Sequence, residues 1–147
     1  MQALGLISHE TAYIFQFMRK DIAPTLEHNG DHRREQVVAN ALFRAADFLG
    51  LSGRDLSEII GLSEPTLSRL RRGGPRTRLA GKAYELALLF VRLYRSLDAI
   101  AGGDDAVSRA WLRNDNTALG GRPIERIRTI DGLTHVLAYL DARRAPV

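Results

Sequence analysis

The sequence predicts an all-α protein, and three observations support this fold class. Apolar residues recur at helical spacing over long segments, and residues 34–49 give the clearest example. Glycine pairs and prolines separate these segments. No two segments show the alternating pattern of paired strands. We expect an N-terminal helical region (1–78), a long helix (79–103) and a small C-terminal helical domain (104–147).

The helices are predicted in the following order. Residues 11–20 (TAYIFQFMRK) predict a short helix, although Tyr13, Phe15 and Phe17 also alternate as in a strand. Pro24 with the polar run EHNGDHRRE predicts a loop. A helix over 34–49 should stop at Gly50, whose lack of a Cβ suits a helix end. The remaining helices are predicted over 54–60, 64–72, 77–100, 104–113, 123–128 and 133–143.

The long helix over 77–100 is apolar on most of its sides. Leu86, Leu89, Phe90 and Leu93 follow helical spacing, and neighbouring apolar residues widen the stripe almost all round. A helix of this kind needs partners on most sides. Two interpretations stay open, namely a central core helix and a seam between two copies in a homodimer.

Composition narrows the class of protein. No apolar stretch of the 147 residues reaches membrane-spanning length, there is no cysteine, and the start does not resemble a secretory signal. We therefore expect a cytoplasmic protein without a membrane partner. The net charge is +4, and residues 52–82 alone carry seven basic and three acidic residues. Nearly all the basic residues are arginines, which suit phosphates and guanine edges.

The segment 53–73 (GRDLSEIIGLSEPTLSRLRRG) meets the requirements of a helix-turn-helix. Its first helix has an apolar inner face ending at Ile60, and Gly61 provides the turn. Ser63 is a suitable N-cap for the second helix, and Pro65 lies in the first turn, where no helical donor is lost.

This segment resembles the helix-turn-helix of the Xre/Cro repressor family in its spacing, caps and turn. In that family the start of the second helix reads the major groove. The resemblance implies operator DNA as a partner, with Glu64, Pro65, Thr66 and Arg69 at base edges. It also implies that the four arginines Arg71, Arg72, Arg76 and Arg78 hold phosphates. The expected DNA-binding residues are Glu64, Pro65, Thr66, Ser68, Arg69, Arg71, Arg72, Arg76 and Arg78.

The C-terminal segment carries a second pattern. The segment resembles the toxin-binding domain of Xre/MbcA/ParS-type antitoxins, because its characteristic residues follow the same order. These residues are Trp111–Leu112, Asn116, Leu119-Gly120-Gly121-Arg122-Pro123, Thr129 and Gly132. The resemblance implies a RES-type toxin that depletes NAD⁺, or a related ADP-ribosylating toxin, as a protein partner. The expected toxin-binding residues are Trp111, Asn116, Leu119, Gly120, Gly121, Arg122, Pro123, Glu125, Tyr139, Arg143 and Arg144.

Two further expectations concern how this domain works. Asn116 and the Gly120–Gly121 pair are expected to form a tight turn, with Leu119 and Arg122 projecting beside the glycine pair. Asp141 or the Pro146–Val147 terminus is a candidate phosphate mimic for the toxin cleft, while Arg143 and Arg144 are candidates to pair with acidic groups of the toxin. We also expect two separable parts: truncation after Leu140 should impair toxin neutralisation while leaving folding and DNA binding largely intact, and truncation after Gly103 should abolish neutralisation.

No constellation in the sequence supports catalysis. The histidines His9, His28, His32 and His135 are scattered, without metal-ligand spacing, and no glycine-rich loop has phosphate-binding spacing. We expect a protein that is not an enzyme and needs no cofactor. Two alternatives to an antitoxin remain open: a stand-alone helix-turn-helix regulator with a C-terminal dimerisation module, and an interaction protein with a degenerate helix-turn-helix.

Overall fold

The computed structural model describes residues 27–74 and 76–145, with side chains described from residue 30. Met1–Asp31 and His32–Val147 form two units, and of the first only the beginning of one helix is described. The helix predicted over 11–20 therefore lies outside the described residues, as do Pro146 and Val147.

Seven α-helices and one short 3₁₀ turn (Thr117–Leu119) form the described part of the chain, in which there is no β-strand. This confirms the predicted all-α class. The helices are α1 (Glu27–Phe48), α2 (Gly53–Ile60), α3 (Glu64–Arg71), α4 (Gly81–Ile100), α5 (Asp105–Arg113), α6 (Pro123–Arg126) and α7 (Ile130–Arg144). None of the described helices is long and apolar enough to cross a membrane.

Two predicted helix starts are wrong by four residues or more, and α7 begins at Ile130 rather than at residue 133. The polar run EHNGDHRRE forms the beginning of α1 rather than a loop. Its residues 30–33 are exposed, so this part of the helix has no apolar stripe from which to recognise it. Helix α4 begins at Gly81 rather than at residue 77. Ala80, the residue before it, has an extended backbone, and Leu79 is buried in the core.

Side-chain caps fix both helices of the helix-turn-helix. Ser52 Oγ accepts the amide hydrogen of Asp55 at 3.0 Å, and Asp55 Oδ2 accepts that of Ser52 at 3.1 Å, so the two residues form a capping box for α2. Gly61 ends α2 with a φ of 75°, a conformation that costs glycine little. Ser63 Oγ accepts the amide hydrogen of Thr66 at 3.2 Å and starts α3 as predicted.

One hydrophobic core joins the two halves of the sequence. Leu42 and Ile60 from the N-terminal half belong to the same buried cluster as Leu112 and Leu133 from the C-terminal half. Removing the C-terminal half would uncover apolar surface on α4, which packs extensively against α7. Truncation after Gly103 should therefore impair folding, whereas truncation after Leu140 keeps residues 130–140 of α7, so the separation of toxin neutralisation from folding by that shorter truncation stays a prediction.

Helix α4 is a core helix along much of its length. Ala87, Phe90 and Leu93 are completely buried, and Leu97 is 1% exposed. Leu86, Leu89 and Val91 are half-buried and pack against the core. Core packing thus explains much of the wide apolar stripe, and a seam between two copies remains a prediction.

Candidate functional sites

Helix α3 presents a polar outer face. Leu67 and Leu70 are buried beneath it, whereas Glu64, Pro65, Ser68 and Arg69 are exposed and Thr66 is half-buried. Arg69 Nη2 donates to Thr66 Oγ1 at 3.2 Å, and Thr66 Oγ1 is 2.8 Å from Ser63 Oγ. The N-cap of the helix is therefore connected to Arg69, which limits the directions that this guanidinium takes.

The four arginines predicted to hold phosphates fall into two classes. Arg71 forms two hydrogen bonds to Asp47, each of 3.0 Å, and lies over the Phe43 ring. Arg78 binds both carboxylate oxygens of Glu35, at 2.9 and 2.8 Å. These two bidentate pairs tie α3 and the segment before α4 to α1, which assigns Arg71 and Arg78 a role in the fold that the sequence did not predict.

The other two arginines, Arg72 and Arg76, have different surroundings. Arg72 stays on its own helix, where Nε donates to the Ser68 carbonyl oxygen at 3.3 Å, and Arg76 is exposed. Neither of them binds a carboxylate in a bidentate pair within the described part of the chain. The phosphate contacts of all four arginines stay a prediction, and Arg72 and Arg76 are the two that would break no such pair to make them.

The LGGRP segment forms a closed turn. Asn116 and Gly121 exchange two backbone hydrogen bonds of 3.1 Å, and Asn116 Oδ1 accepts the amide hydrogen of Leu119. Gly120 has a φ of 70°, which favours glycine at this point of the turn. The tight turn predicted around Asn116 and the glycine pair is thus present.

The side chains around this turn differ in part from the expectation. Leu119 is 5% exposed and Pro123 is also buried, which corrects the prediction that Leu119 projects outward. The Arg126 guanidinium donates to the Gly120 carbonyl oxygen and covers the glycine pair. Arg122 and Glu125 remain exposed and form an ion pair with each other.

A ladder of three side chains runs across the outer face of α5 and α7. The rings of Trp111 and Tyr139 stack with centroids 6.3 Å apart, and both side chains are half-buried. The exposed Arg143 guanidinium lies 4.5 Å from the Tyr139 ring centroid. Aromatic and arginine side chains of this kind are enriched where proteins bind each other.

Asp141, the candidate phosphate mimic, accepts hydrogen bonds from other residues of the fold. Its carboxylate accepts hydrogen bonds from Arg92 Nη2 at 2.6 Å and from Ser96 Oγ at 2.9 Å. Arg144 Nη1 also donates to Ser96 Oγ, at 3.1 Å. Because these groups fasten α7 to α4, Asp141 would have to leave them to act as a phosphate mimic, so that role stays a prediction. Arg144 is less available to a partner than Arg143.

Three arginines that sequence reasoning missed connect the two halves. Arg109 and Arg113 on α5 donate to backbone carbonyls at the end of α1, and Arg128 pairs with Asp55 and Glu58 on α2. Nothing in the local sequence relates residues so far apart.

The described residues contain no group of histidines and carboxylates able to hold a metal ion.

Two family models match the chain. The antitoxin Xre-like helix-turn-helix domain matches residues 30–92, and the antitoxin Xre/MbcA/ParS C-terminal toxin-binding domain matches residues 96–145. Together they span well over half of the sequence. A comparison with curated proteins finds no match.

Proposed function

The chain belongs to the antitoxins that join an Xre-like helix-turn-helix domain to an Xre/MbcA/ParS C-terminal toxin-binding domain, and we propose that it neutralises a RES-type toxin and represses its own operon. The observation that carries this proposal is the presence of two outward faces on one shared core. One is the polar face of α3, and the other is the aromatic and arginine surface of α5 to α7.

The DNA-binding part of the proposal rests on α3. Its exposed residues at the N-terminal end are those that a major-groove helix uses for base contacts. Arg69 has a guanidinium fork suited to guanine, and Glu64 accepts hydrogen bonds as a cytosine reader does. Arg72 and Arg76 add positive charge nearby for the phosphates.

The DNA contacts can be tested by titrating the upstream promoter of the operon. Arg69→Ala should cost about 1–3 kcal/mol on the cognate site and blur one base position. Arg72→Ala should weaken binding to all sequences about equally and make the salt dependence shallower. Arg95→Ala, an exposed arginine on α4, is the matched control and should bind as the wild type does. If the wild type fails to bind the promoter at low salt, alone and with toxin, the regulatory part is wrong.

The toxin-binding part rests on the Trp111–Tyr139–Arg143 ladder and on the exposed Arg122–Glu125 pair. An NAD⁺-binding cleft holds a pyrophosphate and is expected to combine anion-binding and acidic groups. We propose that the ladder docks beside the cleft entrance and that Arg143 and Arg122 pair with acidic groups of the toxin. A RES-type toxin that depletes NAD⁺ is the proposed partner, with an ADP-ribosylating toxin as the alternative outcome.

Co-purification with the toxin encoded beside the chain tests this surface. Arg143→Glu and Arg122→Glu should each weaken the complex, because each reverses a charge at the interface. Arg95→Glu is the matched control and should co-purify normally. If both interface variants hold the toxin as the wild type does, the proposed surface is wrong. If the wild type holds no toxin, a stand-alone regulator becomes the better interpretation.

We also propose that the chain acts as a cytoplasmic homodimer without catalytic activity. A helix-turn-helix protein commonly spans two half-sites as a dimer. Among the described apolar residues, Val37 and Phe48 on α1 are 53% and 38% exposed, and Phe48 stacks on Tyr94 of α4. A strict monomer at tens of micromolar in sedimentation, alone and with toxin, would exclude the dimer.

A further inference from the structure

The end of α1 is held by two arginines of the toxin-binding domain. Arg109 Nε donates to the Phe48 carbonyl oxygen at 2.7 Å. Arg113 donates through Nη1 to the Leu49 carbonyl oxygen at 3.0 Å and through Nη2 to that of Gly50 at 2.8 Å. Carbonyls at a helix end lack helical partners and carry partial negative charge, so two guanidinium groups suit them well.

The backbone at this junction leaves room for a guanidinium. Gly50 has a φ of 63°, and a Cβ placed on it would lie 3.3 Å from Arg109 Nε. A side chain at residue 50 would be strained and would also press on Arg109. Gly50 therefore ends α1 and also leaves space for the Arg109 side chain that caps the helix.

A third arginine reaches the first helix of the helix-turn-helix. Arg128 lies between α6 and α7, and its Nε is 2.8 Å from Glu58 Oε2 while its Nη2 is 3.5 Å from Asp55 Oδ1. Burial alone would raise the pKa of Asp55. Hydrogen bonds from Ser52 and the charges of Arg128 and Arg113 outweigh burial and lower this pKa below its ordinary value.

We propose that Arg113 and Arg128 are positioning residues of the DNA-binding motif, through which operator binding and toxin binding are energetically coupled. Helix α2 packs directly against α3, so a shift of α2 moves the proposed DNA-reading helix. Arg128 lies two residues after Arg126, where α6 ends, and two residues before Ile130, where α7 begins. A toxin that contacts α6 or α7 therefore acts on the backbone that carries this arginine.

The coupling rests on the proposed function, and by linkage it must act equally in both directions. The direction of the effect follows from whether the toxin favours the conformation that binds DNA. Arg128 itself contacts neither partner in this account. Its substitution should therefore change how much one partner alters the affinity for the other, while each partner still binds.

The test measures operator affinity of the full chain by fluorescence anisotropy, with and without saturating toxin. In the wild type, toxin should change the operator Kd by roughly 5- to 150-fold. Arg128→Gln should reduce this factor at least threefold, while toxin affinity stays within about twofold of wild type. Arg95→Gln is the matched control and should keep the wild-type factor. An unchanged factor in Arg128→Gln, or no toxin effect in the wild type, overturns the coupling.

Hydrogen exchange of the free chain tests positioning without either partner. Amides of α2 and of the α1 end should exchange several-fold faster in Arg128→Gln and Arg113→Gln, with α6 little changed. Unchanged exchange overturns positioning even if neither DNA nor toxin binds. A wild type that binds neither partner would refute the proposed function separately, while the exchange result still decides whether these arginines hold the motif.

Discussion

Replacing Gly132 by alanine should destabilise the protein, although alanine is normally the better helix former. Gly132 is the third residue of α7, and a Cβ there would lie 1.8 Å from the Arg126 carbonyl oxygen and 2.9 Å from Thr129 Oγ1. The first contact is with backbone, so α6 and α7 must separate. Overpacking of this kind costs about 1–3 kcal/mol, and the Thr129 cap that would be disturbed is worth about 1 kcal/mol.

The helix propensity of alanine returns about 1 kcal/mol, so we expect a net loss of roughly 1–3 kcal/mol in the free energy of unfolding. Urea denaturation of the full chain measures it. Gly30→Ala is the matched control, because Gly30 also lies within a helix and no atom of the described residues lies within 4 Å of its Cβ position. It should be neutral or stabilising. A Gly132→Ala protein as stable as the wild type would refute the close approach of α6 to α7.

Three further predictions concern caps and ion pairs. Ser63→Ala removes the α3 cap and should lower the free energy of unfolding by about 1 kcal/mol, measured by urea denaturation; no loss would contradict the cap. Because the pKa of Asp55 is lowered in the fold, its contribution to stability is present above its unfolded pKa and is lost as pH falls through the lower folded value. Asp55→Asn should therefore show a shallower loss of melting temperature on acidification below about pH 4, and an unaltered acid profile would count against the lowered pKa. Asp141→Ala leaves the buried Ser96 with one partner fewer and should cost about 1 kcal/mol, seen as a lower melting temperature; an unchanged value would mean that this network does not hold α7.

The helix-turn-helix was predictable because its signals are local. The Ser63 cap, Gly61 and the buried leucines are read within a window of about twenty residues, and each follows from backbone chemistry. The tight turn at Asn116 was predictable for the same reason. By contrast, the beginning of α1 was missed because a helix exposed on all sides carries no periodic apolar stripe.

The site residues whose surroundings the sequence did not predict share one physical cause. Whether an arginine is available to a phosphate depends on which distant carboxylate faces it. Arg71 meets Asp47 and Arg78 meets Glu35 only after the chain has folded. The burial of Leu119 and the pairing of Asp141 likewise arise from tertiary packing. Composition correctly located the positive charge, but the sequence could not distinguish the arginines that hold the fold from those that remain available.

The most direct test of the account measures growth and cellular NAD⁺ in cells that express the RES-type toxin together with this chain. The wild-type chain and the Arg95→Glu control should restore both growth and NAD⁺. A chain carrying Arg122→Glu and Arg143→Glu should fold normally, bind the promoter and yet restore neither. Full protection by this double variant would contradict the proposed toxin-binding surface, and failure of the wild-type chain to protect would contradict neutralisation of this toxin.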